Sequence, residues 1–150
     1  MDKLEIKIKL VEECKAQIQK VVDNLKSAMN DAQQSANEYG PPKDRYDSFR
    51  MQLLRKKDML GQQLQKTLAE FLVLEKIDLK KEMTKADFGA VVITNEQKIF
   101  ISVGIGKMKI DNETYFVVSL MVPLAQALKG KQKNDIFEIN GRQMKIEDVF

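Results

Sequence analysis

The sequence predicts an α+β protein in which an N-terminal antiparallel helical hairpin, a coiled coil, precedes a small β-rich domain. Two stretches of the N-terminal half carry apolar residues at spacings of mostly three, four or seven, and a Gly-Pro-Pro break separates them. From about residue 79 this spacing gives way to short β-branched and aromatic runs interrupted by glycine and asparagine. We therefore place the arm at residues 1–78, with its tip at 38–48, and the second domain at 79–150.

The first long helix is predicted from about Leu10 to the break at Gly40, because the following prolines lack an amide proton and restrict the residue before them. Its apolar seam consists of Val11, Cys14, Ile18, Val21, Leu25, Ala28 and Ala32. The second helix is predicted to run to about Ile77. Its seam consists of Phe49, Leu53, Leu60, Leu64, Leu68, Phe71 and Leu74. At a rise of 1.5 Å per residue, two such helices form an arm on the order of 40 Å long.

The C-terminal part is predicted to contain five strands and one short helix. The strands are expected at about 89–94, 98–105, 113–119, 135–139 and 143–149. Pro123 suits the start of the helix and Gly130 its end. The last two strands flank an Asn-Gly pair, which is the strongest short signal for a hairpin.

Composition excludes several functional classes. The chain has no histidine, so histidine bases, Ser-His-Asp triads and histidine-ligated metals are ruled out. A net charge of +3, from 25 basic and 22 acidic residues, is too mild to indicate nucleic-acid binding by field alone. Three features predict a cytoplasmic protein outside the membrane. Cys14 is the single cysteine, the sequence lacks a long apolar run, and the N-terminus carries charges in every turn.

The stretch "VPLAQALKGKQKNDIFEINGRQMKIEDV" resembles the C-terminal signature of the bacterial Gre-type transcription elongation factors, which stimulate transcript cleavage. The stretch "DFGAVV", residues 87–92, resembles that family's entry into its β-domain. The residues that match the signature are Pro123, Ala127, Leu128, Gly130, Lys131, Asp135 and Ile146. The resemblance implies an FK506-binding-protein-like second domain that docks on RNA polymerase and a helical arm that enters its secondary channel.

The resemblance also implies a role for two acids at the tip. Asp44 and Asp47 match the family's Asp-x-x-Glu pair, with aspartate in place of the second glutamate. Magnesium takes carboxylate oxygens while it retains water, so such a pair would suit donation to the polymerase's metal rather than a free-standing site. The expectation is therefore no cofactor bound in isolation, a magnesium ion shared with RNA polymerase, and no catalytic residue of the chain's own. The alternative for both acids is helix capping with solvation.

Two further groups of residues are candidates for contact with the polymerase. The docking segment is expected at Ser119, Met121, Val122 and Pro123. The sequence leaves open whether its apolar members are core or an exposed patch. The basic residues Arg50, Arg55, Lys56 and Lys57 are either a solvated face or a contact for RNA phosphates and acidic polymerase groups.

The partners expected from the resemblance are RNA polymerase and, indirectly, nascent RNA, with no membrane partner and a monomeric chain. Stimulation of transcript cleavage is the first choice of function, and occupation of the channel without cleavage is its close alternative. A coiled-coil adaptor that pairs with other helices is a second class. A prolyl isomerase is a third, which the lack of tryptophan for an aromatic pocket disfavours.

Overall fold

The computed structural model of the chain describes residues 2–39 and 48–150. In chain order, its elements are α1 (Lys3–Tyr39), α2 (Ser48–Glu75), β1 (Val91–Thr94), β2 (Lys98–Ser102), β3 (Gly106–Ile110), β4 (Glu113–Ser119), α3 (Pro123–Leu128), β5 (Ile136–Ile139) and β6 (Arg142–Val149). The predicted fold class, a helical hairpin followed by a small β-rich domain, is confirmed. Two compact units can be distinguished. We call Lys15–Leu72 the arm, and Met1–Cys14 together with Val73–Phe150 the sheet unit.

The arm is an antiparallel pair of helices. The ring centroids of Tyr39 and Phe49 lie 4.9 Å apart. The ammonium of Lys57 donates a hydrogen bond of 2.7 Å to the side chain of Gln33. Further in sequence from segment 40–47 in both helices, the ammonium of Lys15 lies 5.5 Å from the ring centroid of Phe71. Residue numbers rise along α1 as they fall along α2 in these contacts, so the two helices run in opposite directions.

The seam of the arm differs in register from the predicted one. Val22 is 3% exposed, whereas Val21, which was predicted to lie in the seam, is 46% exposed. Phe49 and Leu68, also predicted seam residues, are exposed. The buried positions of α1 within the arm, residues 18, 22, 32 and 36, instead follow a repeat of three and four that the half-buried positions 25 and 29 complete, while half-buried Ala28 and Gln33 flank it. Apolar character alone did not decide which residues face the seam, because the polar side chains of Gln33 and Lys57 also form a contact across it.

Helix α1 begins seven residues before the predicted start at Leu10. A carboxylate oxygen of Asp2 accepts a hydrogen bond of 3.2 Å from the amide of Leu4, and the carbonyl of Asp2 accepts one of 3.1 Å from the amide of Ile6. Asp2 therefore satisfies amides at the helix start that have no partner within the helix. The alternating sequence "LEIKIKL" that follows this cap belongs to the first turns of α1.

The strands form one six-stranded mixed sheet in the order β3-β4-β2-β1-β6-β5. All neighbouring pairs are antiparallel except β2 and β4, which are parallel. The predicted Asn-Gly hairpin is confirmed: Asn140 and Gly141 have φ values of 52° and 76° between β5 and β6. The short helix predicted to begin at Pro123 is confirmed as α3, which lies between β4 and β5 in chain order.

The prediction of five strands was wrong by one, because it missed β3. Strand β3 is an edge strand in which Met108 is buried while Lys107 and Lys109 are exposed. It therefore lacks the apolar run that identified the other strands, and lysines on an edge strand hinder pairing with further strands. Asp111 and Asn112, with φ values of 50° and 67°, form the tight turn into β4.

The two faces of the sheet are covered by different parts of the chain. Helix α3 lies on one face over an aliphatic cluster that includes Ile99, Ile101 and Ile146. On the opposite face, Val91, Phe100 and Val117 are also fully buried. The first turns of α1 contact this second side: the ammonium of Lys3 lies 2.8 Å from the carboxylate of Asp148, and that of Lys9 lies 2.9 Å from Asp111.

Candidate functional site

The turn between β4 and α3 carries the predicted docking residues. The amide of Met121 donates a hydrogen bond of 3.1 Å to the hydroxyl of Ser119, and the amide of Val122 donates one of 3.3 Å to the carbonyl of Ser119. Pro123 opens α3, where its missing amide proton costs no hydrogen bond. The side-chain amide of Gln126 donates a bond of 2.6 Å to the carbonyl of Leu120. These bonds hold the turn in one backbone conformation.

The turn separates its apolar side chains into an inner and an outer set. Leu120 and Val122 pack against the aliphatic cluster beneath α3. Met121, between them in sequence, is 80% exposed. The question that the sequence left open therefore has a divided answer, because alternate side chains point to core and solvent. A large exposed thioether on a fixed backbone can fill an apolar hollow of a partner at little cost in backbone entropy.

The acidic pair Asp44 and Asp47 lies outside the described residues, as does the segment 40–47 that joins the two long helices. The described part of the arm ends at the tilted ring pair of Tyr39 and Phe49. In residues 2–39 and 48–150, no group of three or more acidic or cysteine side chains is placed to hold a metal ion. The role of the acidic pair stays a prediction.

The four basic residues of α2 are distributed over different sides of the helix. Arg50 and Lys57 are seven residues apart, which places them on the same side, and both are half-buried. Arg55 and Lys56 are exposed. Lys57 uses its ammonium for the hydrogen bond to Gln33 across the seam. The structure therefore does not bring the four charges together in one patch.

Lys7 is a buried charge that sequence reasoning did not single out. Its side chain is 0% exposed, and its ammonium has no hydrogen-bond partner among the described residues. Burial lowers the pKa of Lys7, against the opposing effect of the carboxylates of Asp78 and Glu82. The only sequence signal was its position in the helical repeat, three and seven residues before the buried Leu10 and Cys14.

Fold and site together define a two-part protein: a long two-helix arm, and a small mixed-sheet unit with one rigid turn that displays a methionine. Two solved structures are similar to this chain. One is the GreA factor homolog 1 (Gfh1) of Thermus thermophilus, with 15% identity over 93% of this chain and 94% of that one, at a TM-score of 0.35. The other is the Gfh1 of Thermus aquaticus, with 14% identity over 89% and 92% of the two chains, at a TM-score of 0.31.

Comparisons by sequence give no further relationship, since no family model and no curated protein matches the chain. Membership of the Gre family therefore stays a prediction. In the part of the chain that the structure describes, no helix combines the length and the apolar character that crossing a bilayer requires.

Proposed function

We propose that this protein binds RNA polymerase through the turn at Ser119, Met121, Val122 and Pro123 and carries the tip of its arm into the secondary channel. There, Asp44 and Asp47 donate carboxylate oxygens to the polymerase's magnesium and stimulate cleavage of the transcript in backtracked complexes. The protein has no reaction of its own in this proposal and modulates that of the polymerase. Occupation of the channel without cleavage is the alternative outcome.

The observation that carries the proposal is how little core the arm contains. Within its described residues, only Ile18, Val22, Ala32 and Ala36 are buried, and all four lie on α1. A two-helix rod with so narrow a seam gains little stability from its length, because most of each helix faces solvent. Length without a core is useful to a protein that must reach a distant point in a partner. The residue matches to the Gre signature supply the partner's identity.

The docking turn supports the same proposal from the sheet unit. Aromatic residues, methionine and arginine are enriched at protein interfaces, and an anchoring side chain gains affinity from a preorganised backbone. Met121 fits this description, since its amide donates to the hydroxyl of Ser119 and the side chain of Gln126 donates to the carbonyl of Leu120, which holds the backbone around it. Leu120 and Val122 are occupied in the core and do not need a partner.

Binding is tested with purified RNA polymerase and the full chain. We expect the wild-type chain to bind and the Met121→Asp variant to bind at least about thirtyfold more weakly, which corresponds to roughly 2 kcal/mol for an anchoring side chain. Ile136→Asp is the matched control, because Ile136 is also a large exposed apolar residue of the sheet unit. Failure of the wild-type chain to bind, or equal losses in the two variants, would overturn the docking assignment.

Cleavage is tested separately on stalled, backtracked complexes. We expect the wild-type chain to accelerate transcript shortening, and Asp44→Asn and Asp47→Asn to remove the acceleration while leaving polymerase binding intact. Asp31→Asn, which neutralises an exposed acid elsewhere on the arm, is expected to behave as wild type. If the two tip variants bind and stimulate as the wild type does, the metal-donor role is wrong. If the wild type binds without stimulating, the protein occupies the channel without inducing cleavage.

A coiled-coil adaptor is the second candidate, because the arm exposes many large apolar side chains. They are Val21, Phe49, Met51, Met59, Leu68 and Leu72. An adaptor would use them to pair with other helices. Sedimentation analysis distinguishes the two functions: concentration-dependent self-association that Met59→Glu and Leu72→Glu abolish, without polymerase binding, supports the adaptor.

A further inference from the structure

The chain between α3 and β5 forms a loop with a high density of lysine. Residues 129–135 read "KGKQKND", and the neighbouring segment 84–86 reads "TKA". Together these ten residues contain four lysines and one acid, Asp135. We call Lys85, Lys129, Lys131 and Lys133 the lysine loop. Its charge density is far above that of the chain as a whole, whose net charge is only +3.

Backbone hydrogen bonds bring the two segments together. The amide of Gly130 donates a bond of 2.7 Å to the carbonyl of Ala86, and the amide of Ala86 donates one of 2.8 Å to the carbonyl of Lys131. Lys85 also forms an isolated antiparallel bridge with Gln132. Lys85 therefore lies beside the other three lysines although it is more than forty residues away from them in sequence.

The loop is held rigidly, and the groups that hold it are not the lysine side chains. The carboxylate of Asp135 accepts a bond of 2.8 Å from the amide of Gln132, and the amide of Asn134 donates one of 2.8 Å to the carbonyl of Ile146. Gly130 and Asn134 adopt positive φ values of 82° and 77°, which these residue types tolerate. The fold of the loop thus depends on its glycine, asparagine, aspartate and backbone.

The lysine ammonium groups have no partner within the described chain. None of the four forms an ion pair with any residue in 2–39 or 48–150. Lys85, Lys129 and Lys133 are exposed, and Lys131 is half-buried. Four like charges on a preorganised loop repel one another, so they are best compensated by a partner with closely spaced negative charges.

We propose that the lysine loop binds the phosphate backbone of duplex DNA. Lysine provides a point charge that suits phosphate without reading bases. The two segments contain no aromatic side chain on which unpaired bases could stack, which disfavours single strands. Duplex DNA has the denser charge, with one phosphate per about 1.7 Å of axis. This inference goes beyond the proposed function and does not depend on it.

The test measures binding of the full chain to a short labelled duplex of arbitrary sequence over a series of salt concentrations. If the four lysines contact four phosphates, the logarithm of the association constant should fall against the logarithm of the salt concentration with a slope of about −3.6. This slope corresponds to a loss of affinity of roughly 150-fold between about 50 and 200 mM salt. In Lys129→Gln/Lys133→Gln, the slope is expected to fall to about −1.8, or roughly 12-fold over the same range. Far-UV circular dichroism verifies that the variant is folded.

Lys107→Gln/Lys109→Gln is the matched control, since it removes two exposed lysines from the same unit and leaves the same net charge. It is expected to keep the wild-type slope. No duplex binding at low salt, or equal losses in the two double variants, overturns the proposal. So does tighter binding of single-stranded RNA than of the duplex through the loop. Equal weakening of binding to polyglutamate and to DNA would assign the loop to an acidic protein instead.

Discussion

Replacement of Lys7 by methionine is expected to stabilise the protein. Lys7 is 0% exposed, and its ammonium makes no hydrogen bond within the described residues. A buried polar group without a partner costs about 1–3 kcal/mol, and more when it is charged. Methionine has a similarly long, flexible side chain that can fill the same space without a polar atom that requires a donor or acceptor. We therefore expect Lys7→Met to raise the free energy of unfolding by about 1–3 kcal/mol at pH 7.

The same change is expected to alter the pH dependence of stability. Burial lowers the pKa of Lys7 in the folded protein below its ordinary value of 10.5. Between the lowered pKa and 10.5, the unfolded chain binds more protons at this group than the folded protein does. The destabilisation caused by burying the Lys7 ammonium therefore decreases as the pH rises through that window. Below the window this destabilisation is present in full. The advantage of Lys7→Met over wild type should accordingly be largest below the lowered pKa and shrink as the pH approaches 10.5.

Urea denaturation at several pH values, followed by circular dichroism, measures both effects. Other groups that titrate in the alkaline range are common to both proteins, so the difference between them isolates Lys7. Lys20→Met, at an exposed position of α1, is the control and is expected to change stability by less than about 0.5 kcal/mol. A Lys7→Met variant that is less stable than wild type, or an advantage independent of pH, would show that the buried ammonium is compensated in the folded protein.

Three further predictions concern the helices. Gly61→Ala should stabilise the arm by up to about 1 kcal/mol in thermal unfolding, because alanine favours the helix. The new Cβ would lie 3.5 Å from Met29, which is an ordinary van der Waals contact, so a loss of stability would show that the site is more crowded than the structure indicates. Burial raises the pKa of the Cys14 thiol to about 12, so Cys14 should resist alkylation at pH 8 until the protein is denatured. Rapid labelling of the native protein would contradict the burial of this thiol. Gln33→Leu should lower the free energy of unfolding in urea by about 1–2 kcal/mol, because it leaves the ammonium of Lys57 without its partner. The double variant Gln33→Leu/Lys57→Leu should recover that loss. Full stability of the single variant would refute the contact between these two side chains.

Elements with local signals were predictable from the sequence. The two long helices, the short helix at Pro123 and the Asn140-Gly141 hairpin each depend on spacing or on one or two special residues. The missed strand β3 carries only a short alternation of lysine with Met108 and Ile110, and the Asp-Asn pair that follows it led its end to be assigned to a turn. Its pairing with β4 places it in the sheet, and a partner strand cannot be recognised from one strand alone.

The docking segment around Met121 was placed from the sequence, and its role stays a prediction. The lysine loop was not singled out from the sequence, although Gly130 was expected to end the helix before it. Only the structure distinguishes exposed Met121 from its packed neighbours Leu120 and Val122. Likewise, only the structure brings Lys85 beside Lys131, through hydrogen bonds of Ala86.

The amino-acid sequence by itself determined the division of this protein into helical arm and small β-rich domain, because helical periodicity and turn residues act over a few neighbouring positions. The tertiary structure alone decided which sides of those elements are buried. Lys7 is covered although it is charged, and Val21 is exposed although it is apolar. The physical reason is that burial depends on which distant segments cover a surface, and a residue's own polarity adds only a few kcal/mol to that choice.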